Sequence, residues 1–381
     1  MNTLPLQNVR VLDLTRLLPG GICTLMLVDE GAEVIKIEQP DVGDYARWYV
    51  PRVGDYAAFF HAINRNKRSI GLDLKQPEGL GIFKRLVLSA DILIDSFRPE
   101  VMTRLGITFD DLKTVNPRLI VCSLSGLGQQ GAMANLAVHD LNLAGMTGIL
   151  AAGNEQVLPI QAIDFGGAYL AAFAITTALF QRERTGEGTF IDVSLLDAGL
   201  SLMTMARAES FARHMNPVPG GELLSGGYAC YRVYRTTDDK PITLAALEPK
   251  FWQQFCILAG RDDLAQRDHL MLEDQSDLTA EITALFASKT YAEWMVILDG
   301  SETCATPLLD VMQSETDAQI QSRGALFHAD GVAHTFTPFR MGERIAYRPA
   351  PALGADTDQI LQEAGYGIEE LASLRERHII R

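Results

Sequence analysis

Cysteine is scarce in this chain: Cys23, Cys122, Cys230, Cys256 and Cys304 are the only five in 381 residues, with no CxxC spacing. Thiols scattered in this way exclude a disulfide-stapled scaffold and a dithiol redox motif. With no secretory leader read at the N-terminus, they make a reducing cytoplasm the expected compartment and small buried hydrophobes the expected role. Histidine patterning is equally thin: His61, His214, His269, His328, His334 and His378 show no ligand spacing such as HExxH, so no metal is expected. Long hydrophobic runs are missing too. The most apolar stretch, residues 168–180, has 13 residues, against the ~20 that a bilayer-spanning helix needs. A buried helix of a soluble protein is predicted there, and no membrane partner. Positive charge is short, with 33 Lys and Arg facing 48 Asp and Glu for a net charge of −15. That balance argues against nucleic acid or an anionic membrane as the main partner. Internal repeats and low-complexity segments are absent.

Against that acidic background, residues 64–104 are locally basic. Arg65, Lys67, Arg68, Lys75, Lys84, Arg85, Arg98 and Arg104 outnumber Asp73, Glu78, Asp91, Asp95 and Glu100. Such an island fits either a small polyanion, such as a nucleotide diphosphate, or a solvated helix face. With 47% apolar and 21% charged residues, the length is enough for about two domains. Residues 9–15 (VRVLDLT) read as a strand, 19–21 as a Pro-Gly-Gly turn, 22–30 as a helix closed by Gly31, and 33–37 as a second strand, a βαβ unit. Further strand patterns at 92–94 and 119–123, with helical patterns at 77–89 and 110–115 between them, predict an open, mostly parallel sheet with helices on both faces. Ligands in such folds bind beyond the C-terminal strand ends, here residues 15–20, 96–98 and 123–131.

Gly126, Gly128 and Gly131 spell G-x-G-x-x-G, but the loop comes late and leads through Gln129, Gln130, Met133 and Asn135 without a helix start. It reads as a pocket loop and not as a dinucleotide fingerprint. After the helix at 168–180, residues 189–194 read as a strand and 195–211 as one helix. From 226 the pattern changes to an antiparallel hairpin (228–234 and 241–245) followed by helices near 250–259 and 291–298. This change in character marks a second, smaller α+β domain over about 220–335. Two residues stand out between the halves: His139, opening an apolar helical run with Asp140, and Asp164, just before Gly166 and Gly167. A histidine and a carboxylate, each at the lip of an element, are what proton transfer at carbon needs, since one takes a proton while the other already holds one. Taken alone, His139 fits a cap or core residue, Asp164 a helix N-cap, and Glu248 before Pro249 a helix start favoured by the dipole.

The segments VLDLTRLLPGGICTLMLVDEGAEVIKIE, NKRSIGLDLK, SFRPEVMTRLGI, NPRLIVCSLSGLGQQG, HDLNLAGMTGIL, DFGGAYLAAFAITTALFQRERTGEG, YRTTDDKPITLAALEPKFW and RPAPALGADTDQIL cover nearly the whole chain in order. In them the chain resembles the class III CoA-transferase superfamily and, within it, the alpha-methylacyl-CoA racemase branch. That resemblance implies a large Rossmann-like domain over 1–219, completed by 336–381, beside the small α+β domain over 220–335, in an interlocked homodimer with each active site between the large domain of one subunit and the small domain of the other. It implies acyl-CoA as substrate, with coenzyme A arriving as part of it and no cofactor held permanently. Carried over by motif, Leu72, Lys75, Ser96, Phe97, Arg98 and Arg104 are expected contacts to the nucleotide, and Gln39 stands where relatives often carry arginine. In the transferases an aspartate matching Asp164 attacks the thioester and forms an anhydride before CoA passes to another acid. In the racemase the matching aspartate and the histidine of an HD pair flank the α-carbon.

His139-Asp140, the sequence LLSGGY at 223–228 where formyl-CoA transferases have a run of glycines, and Glu248 in LEPKFW all match the racemase pattern. Against that match, 43–64 is longer than the racemase pattern, and residues 56–60 resemble transferase relatives. The racemase reading assigns His139 and Asp164 as the two acid/base groups, Glu248 of the partner subunit as the holder of His139, and the Asp140 backbone N–H as the oxyanion donor. A CoA-transferase and a non-catalytic CoA-binding dimer remain as alternatives.

Overall fold

A computed structural model describes residues 4–271 and 275–381. The chain divides into two compact units, one made of residues 1–147, 157–204 and 321–381, the other of 148–156 and 205–320.

The first unit is built on six strands, β1 (Arg10–Leu14), β2 (Glu33–Glu38), β3 (Arg68–Gly71), β4 (Ile92–Asp95), β5 (Ile120–Ser125) and β6 (Phe190–Ser194). All are parallel, in the order β3-β2-β1-β4-β5-β6. The central strands β1, β4 and β5 are buried along almost their whole length, because a parallel sheet is covered on both faces. The helices of this unit include α1 (Leu17–Asp29), α2 (Ala58–Asn64), α3 (Pro77–Val87), α4 (Pro99–Arg104), α5 (Phe109–Val115), α6 (Asp140–Thr147), α7 (Ala162–Thr185) and α8 (Leu195–Leu202), and two more, Thr357–Glu363 and Ile368–Glu376, lie in the C-terminal segment. Leu12, Ile35, Ile70, Leu93 and Val121 form one core with Ile82, Phe83 and Leu86 of α3 and Leu112 of α5. Ile360, Leu371, Leu374 and Ile380 of the C-terminal segment complete it. That segment is also hydrogen-bonded to β3, where Asp356 Oδ2 accepts from Ser69 N at 2.8 Å.

The residues expected as a Pro-Gly-Gly turn lie inside the first turns of α1. Proline is tolerated there because its missing N–H would be unpaired anyway. The glycines are needed for closeness: a Cβ on Gly20 would sit 2.1 Å from Thr15 Cβ, and one on Gly21 2.5 Å from Ile63 Cδ1. The helix expected at 168–180 is the 24-residue α7, long and apolar enough by length and composition to cross a membrane. The shorter estimate from the apolar run alone is therefore corrected. Its buried stripe of Ile163, Gly167, Ala168, Ala171, Ala172, Ile175 and Ala178 packs on α1, α8 and β5, as a core helix does. The single helix expected at 195–211 is two, α8 and Thr204–Arg213, separated at Met203.

The second unit contains an antiparallel sheet of β7 (Tyr231–Arg235), β8 (Pro241–Ala245) and β9 (Ala305–Pro307), with helices α9 (Pro249–Leu258), α10 (Ser276–Phe286) and α11 (Tyr291–Leu298). Its core is aromatic: Tyr234 stacks on Phe286 at 4.9 Å and Phe286 meets Trp294 at 4.8 Å. The indole N–H groups of Trp252 and Trp294 donate to Leu264 O and Phe286 O, so neither is buried unpaired. A last hairpin, β10 (Leu326–Ala329) and β11 (Val332–Thr335), falls within the stretch expected for the small domain but belongs to the first unit. It turns on Asp330-Gly331, both at positive φ, a pair suited to tight hairpins. Arg65 Nη2 donates to Thr335 O at 3.0 Å while pairing with Asp29 of α1, which ties the hairpin to the large unit.

Gly20→Ala is expected to lower the free energy of unfolding by about 1–3 kcal/mol, because Thr15 is buried and has no room to retreat. Gly81→Ala, in α3 with nothing within 4 Å of the added carbon, is expected to raise it by about 0.5–1 kcal/mol. Urea unfolding of the two variants and the parent checks both signs, and coincident midpoints would contradict the packing described around Thr15.

Candidate active site

In the strand order 3-2-1-4-5-6 the chain turns in opposite directions from β1 and β4, which leaves a crevice beyond their C-terminal ends. A cavity of about 1150 Å³ lies there, walled by Thr15 and Arg16 after β1, Glu38 and Gln39 at and after β2, Ser96 and Phe97 after β4, and Ser125 and Gly126 of β5 and its loop.

His139 and Asp164 both line this cavity, together with Gln39, Leu72, Lys75, Ser96, Phe97, Arg98 and Arg104. The last seven contribute differently. Leu72 is buried and its N–H donates to Glu38 O, so it offers an apolar wall. The Gln39 carboxamide is occupied within its own turn, accepting from Asp41 N and Val42 N. Ser96 Oγ accepts from Arg16 N at 3.0 Å, and Phe97 N donates to Asp95 Oδ1 at 2.9 Å. Arg98 Nη1 donates to Asn135 O. Lys75 and Arg104 are exposed and have no carboxylate partner among the described residues.

The basic island of the sequence is not one surface. Arg65 and Lys67 are buried and paired with Asp29 and Asp13, Arg68 bridges Glu33 and Glu363, and Arg85 lies over the Tyr366 ring. Only Lys75, Arg98 and Arg104 of the eight line the cavity. They are joined by Arg16, which lies outside the stretch whose charges were tallied. Its guanidinium sits 5.1 Å from the Tyr45 ring and 5.4 Å from the Phe97 ring. Its position directly after β1, at a predicted ligand-binding strand end, was the signal that could have found it.

The reacting groups are held by helix starts. The backbone of His139 caps α6: its N–H donates to Asn142 Oδ1 at 3.0 Å and its carbonyl accepts from Asn142 N and Leu143 N. The exposed imidazole is thereby left to the cavity. Asp164 is not the N-cap expected from sequence. Helix α7 begins at Ala162 with Gln161 at the cap and no side-chain capping bond there, which puts Asp164 within the first turn. The amides of Ile163 and Asp164 donate instead to Asp140 Oδ1, at 2.9 and 3.0 Å. The Asp164 carboxyl is free of cap duty, and burial, reinforced by the charge of Asp140, pushes its pKa up to about 7. Asp95, buried below Phe97, is also raised by burial, to about 6, while Ser123 Oγ donates to it at 2.7 Å.

The glycine-rich loop runs on from β5 with no helix start. Gln129 N donates to Asp192 of β6 at 3.1 Å, and a Cβ on Gly126 would meet Val138 Cγ2 at 2.4 Å, which brings the loop against the segment leading to His139. Glu248 stands in the second unit, at the N-cap of α9, with no side-chain capping bond. The structure therefore brings together His139, Asp164 and all seven expected nucleotide contacts, with Asp140 behind Asp164; Glu248 belongs to the other unit.

The model of CoA-transferase family III matches residues 6–357. Alpha-methylacyl-CoA racemase of Homo sapiens is 31% identical over 385 aligned residues, which cover 98% of this chain and 97% of that one. Succinyl-CoA:glutarate CoA-transferase of Mus musculus is also 31% identical, over 94% of this chain and 86% of that one. The crystal structure of a CaiB/BaiF family protein from Brucella suis superposes with a TM-score of 0.82 at 28% identity, covering 94% of this chain and 99% of that one. Its mixed α/β fold carries the same kind of central parallel sheet as β1–β6. With the match running through the sheet, the cavity and the second unit alike, the chain belongs to CoA-transferase family III.

Proposed function

We propose that this protein is an acyl-CoA racemase acting on 2-methyl-branched acyl-CoA thioesters by 1,1-proton transfer. The observation that carries the reading is that an imidazole, His139, and a carboxyl with its pKa near neutrality, Asp164, line one cavity. The α-proton of a thioester is weakly acidic, so its removal requires that charge developing on the carbonyl oxygen be met by a donor. One of the pair takes the α-proton, the C–H electrons become the enolate, and the oxygen turns toward the Asp140 N–H at the start of α6. The other group then delivers a proton to the opposite face. Such a pair works with one mobile proton between two groups, which a carboxyl near 7 and an imidazole can share.

The nucleotide end of the substrate is assigned to Lys75, Arg98, Arg104 and Arg16, with Leu72, Ser96 and Phe97 as its walls and Gln39 at the rim. CoA enters and leaves with the substrate, and no other cofactor is invoked. A second copy of the chain is the proposed partner, in an interlocked dimer that supplies Glu248 to hold His139; the working compartment is the cytoplasm. A second reading, CoA transfer between carboxylic acids through an anhydride on Asp164, draws support from relatives of the same identity that carry transferase names.

Incubation of a chiral 2-methylacyl-CoA in heavy water is expected to bring deuterium into the α-position without any acceptor acid. His139→Ala is expected to reduce that exchange by at least ~100-fold. Deuterium uptake that needs a second acid, with hydroxylamine trapping an acyl group on Asp164, would instead establish the transferase. Tight CoA binding with neither activity would leave a binding protein.

The pH profile separates the chemistries independently. With its pKa raised from 3.8 to about 7, Asp164 is mostly protonated at pH 6 and mostly ionised at pH 8. A nucleophile must be ionised, so a transferase would gain kcat/KM up to about pH 7 and then level off. The racemase is expected to show a bell, because the shared proton is lost at high pH and doubled at low pH.

A further inference from the structure

Outside the reacting pair, the Asp140 carboxyl is hydrogen-bonded to the first turn of the helix that carries Asp164. We propose that the Asp140 carboxylate is a positioning residue for Asp164, fixing the first turn of α7 and setting how readily the Asp164 carboxyl gives up its proton. This deepens the reading above, which uses only the backbone N–H of Asp140.

The geometry is specific. A helix ordinarily satisfies its first amides with the side chain of the residue just before it. Here Gln161 makes no such bond, and the first-turn amides of Ile163 and Asp164 donate to a carboxylate from the start of another helix, at 2.9 and 3.0 Å. Both bonds are accepted by one oxygen of the Asp140 carboxyl, and hydrogen bonds to a carboxylate are about twice as strong as neutral ones. The consequence for Asp164 is a contest. The positive end of α7 favours an ionised carboxylate at such a position. Burial disfavours that ionised form, and Asp140 adds to it by occupying the first-turn amides and placing a like charge beside the carboxyl.

The elements packed against α7 bring other titratable groups: Cys23 and Asp29 on α1, Cys122 on β5, Asp192 on β6, Asp197 on α8, with His139 at the cap of α6. Of these and Asp140, it is the Asp140 charge that raises Asp164. The device thus makes the HD pair a single unit: His139 supplies one acid/base group and its neighbour poises the other.

The test uses the full-length protein without substrate. The Asp164 carboxyl is titrated by infrared difference spectroscopy, its band identified by its loss in Asp164→Asn. Asp140→Asn keeps an acceptor oxygen for the two amides and removes the charge, so the midpoint is expected to fall by about one pH unit or more. Asp140→Ser, which keeps a shorter acceptor, provides the second variant should the first unfold, and thermal melts confirm that each is folded. The acid limb of the pH profile for exchange is expected to move by the same amount. A midpoint unchanged from the parent in the folded variants would overturn the proposal. Because the titration needs no turnover, a shifted midpoint without heavy-water exchange in the parent would uphold this role and refute the racemase, and the converse pattern would do the opposite.

Discussion

Six charged side chains with little or no access to solvent hold the floor of the cavity in place. Asp13, Lys36, Glu38, Asp44, Arg47 and Lys67 are each 5% exposed or less, and they balance, three carboxylates against three cations. Buried charges are tolerated only when partnered, and removal of one partner typically costs several kcal/mol. Glu38 takes Arg47 in a two-pronged bond of 2.7 and 2.8 Å. Lys36 lies 2.8 Å from Asp44, and Lys67 reaches Thr24, Asn64 and Gly21 O beside Asp13. Burial pushes Lys67 down to about 8. Burial also acts against the Lys36 charge, but Asp13, Asp44 and Glu38 overcome it and hold its pKa above the ordinary value.

These bonds join parts of the chain that are far apart in sequence. Asp13 lies in β1, Glu38 ends β2, Asp44 and Arg47 sit in the long connection to β3, and Arg47 Nη1 reaches Pro351 O in the C-terminal segment. The Arg47 guanidinium also lies 4.0 Å from the Phe60 ring of α2. Leu17, opening α1 at the cavity lip, has φ +62°, a conformation that costs a leucine about 1–3 kcal/mol. Its N–H is held by Asp44 Oδ1 at 3.1 Å. The charge cluster therefore keeps the rim of the crevice in a shape the backbone alone would not choose.

On that rigid floor the chemistry depends on the environment of a few groups near helix starts. A carboxyl poised near neutrality can serve as acid, base or nucleophile, which explains in physical terms how one family houses both racemases and CoA-transferases. What separates the reactions is the company that carboxyl keeps. In this chain that company is an imidazole lining the same cavity and a second carboxyl hydrogen-bonded to the first turn of the helix that carries Asp164.

Much was legible in the sequence. The alternation of short Val/Ile/Leu runs with amphipathic stretches determined a parallel sheet, and the motifs determined the family and the cavity residues, since both depend on local pattern and order. Local pattern also misled. Pro19-Gly20-Gly21 has the composition of a turn, yet Thr15 and Ile63 crowd it into helix α1; the apolar run in α7 understated a helix whose first turn is held by Asp140; and the Asp330-Gly331 hairpin belongs to the large unit because Arg65 and Asp29 claim it. The basic count over 64–104 could not tell cavity-lining Lys75, Arg98 and Arg104 from ion-paired Arg65, Lys67 and Arg68. Which charges meet, which are buried and what proton affinity Asp164 acquires were decided by tertiary structure alone, because Coulomb interaction and desolvation depend on distance through space and not along the chain.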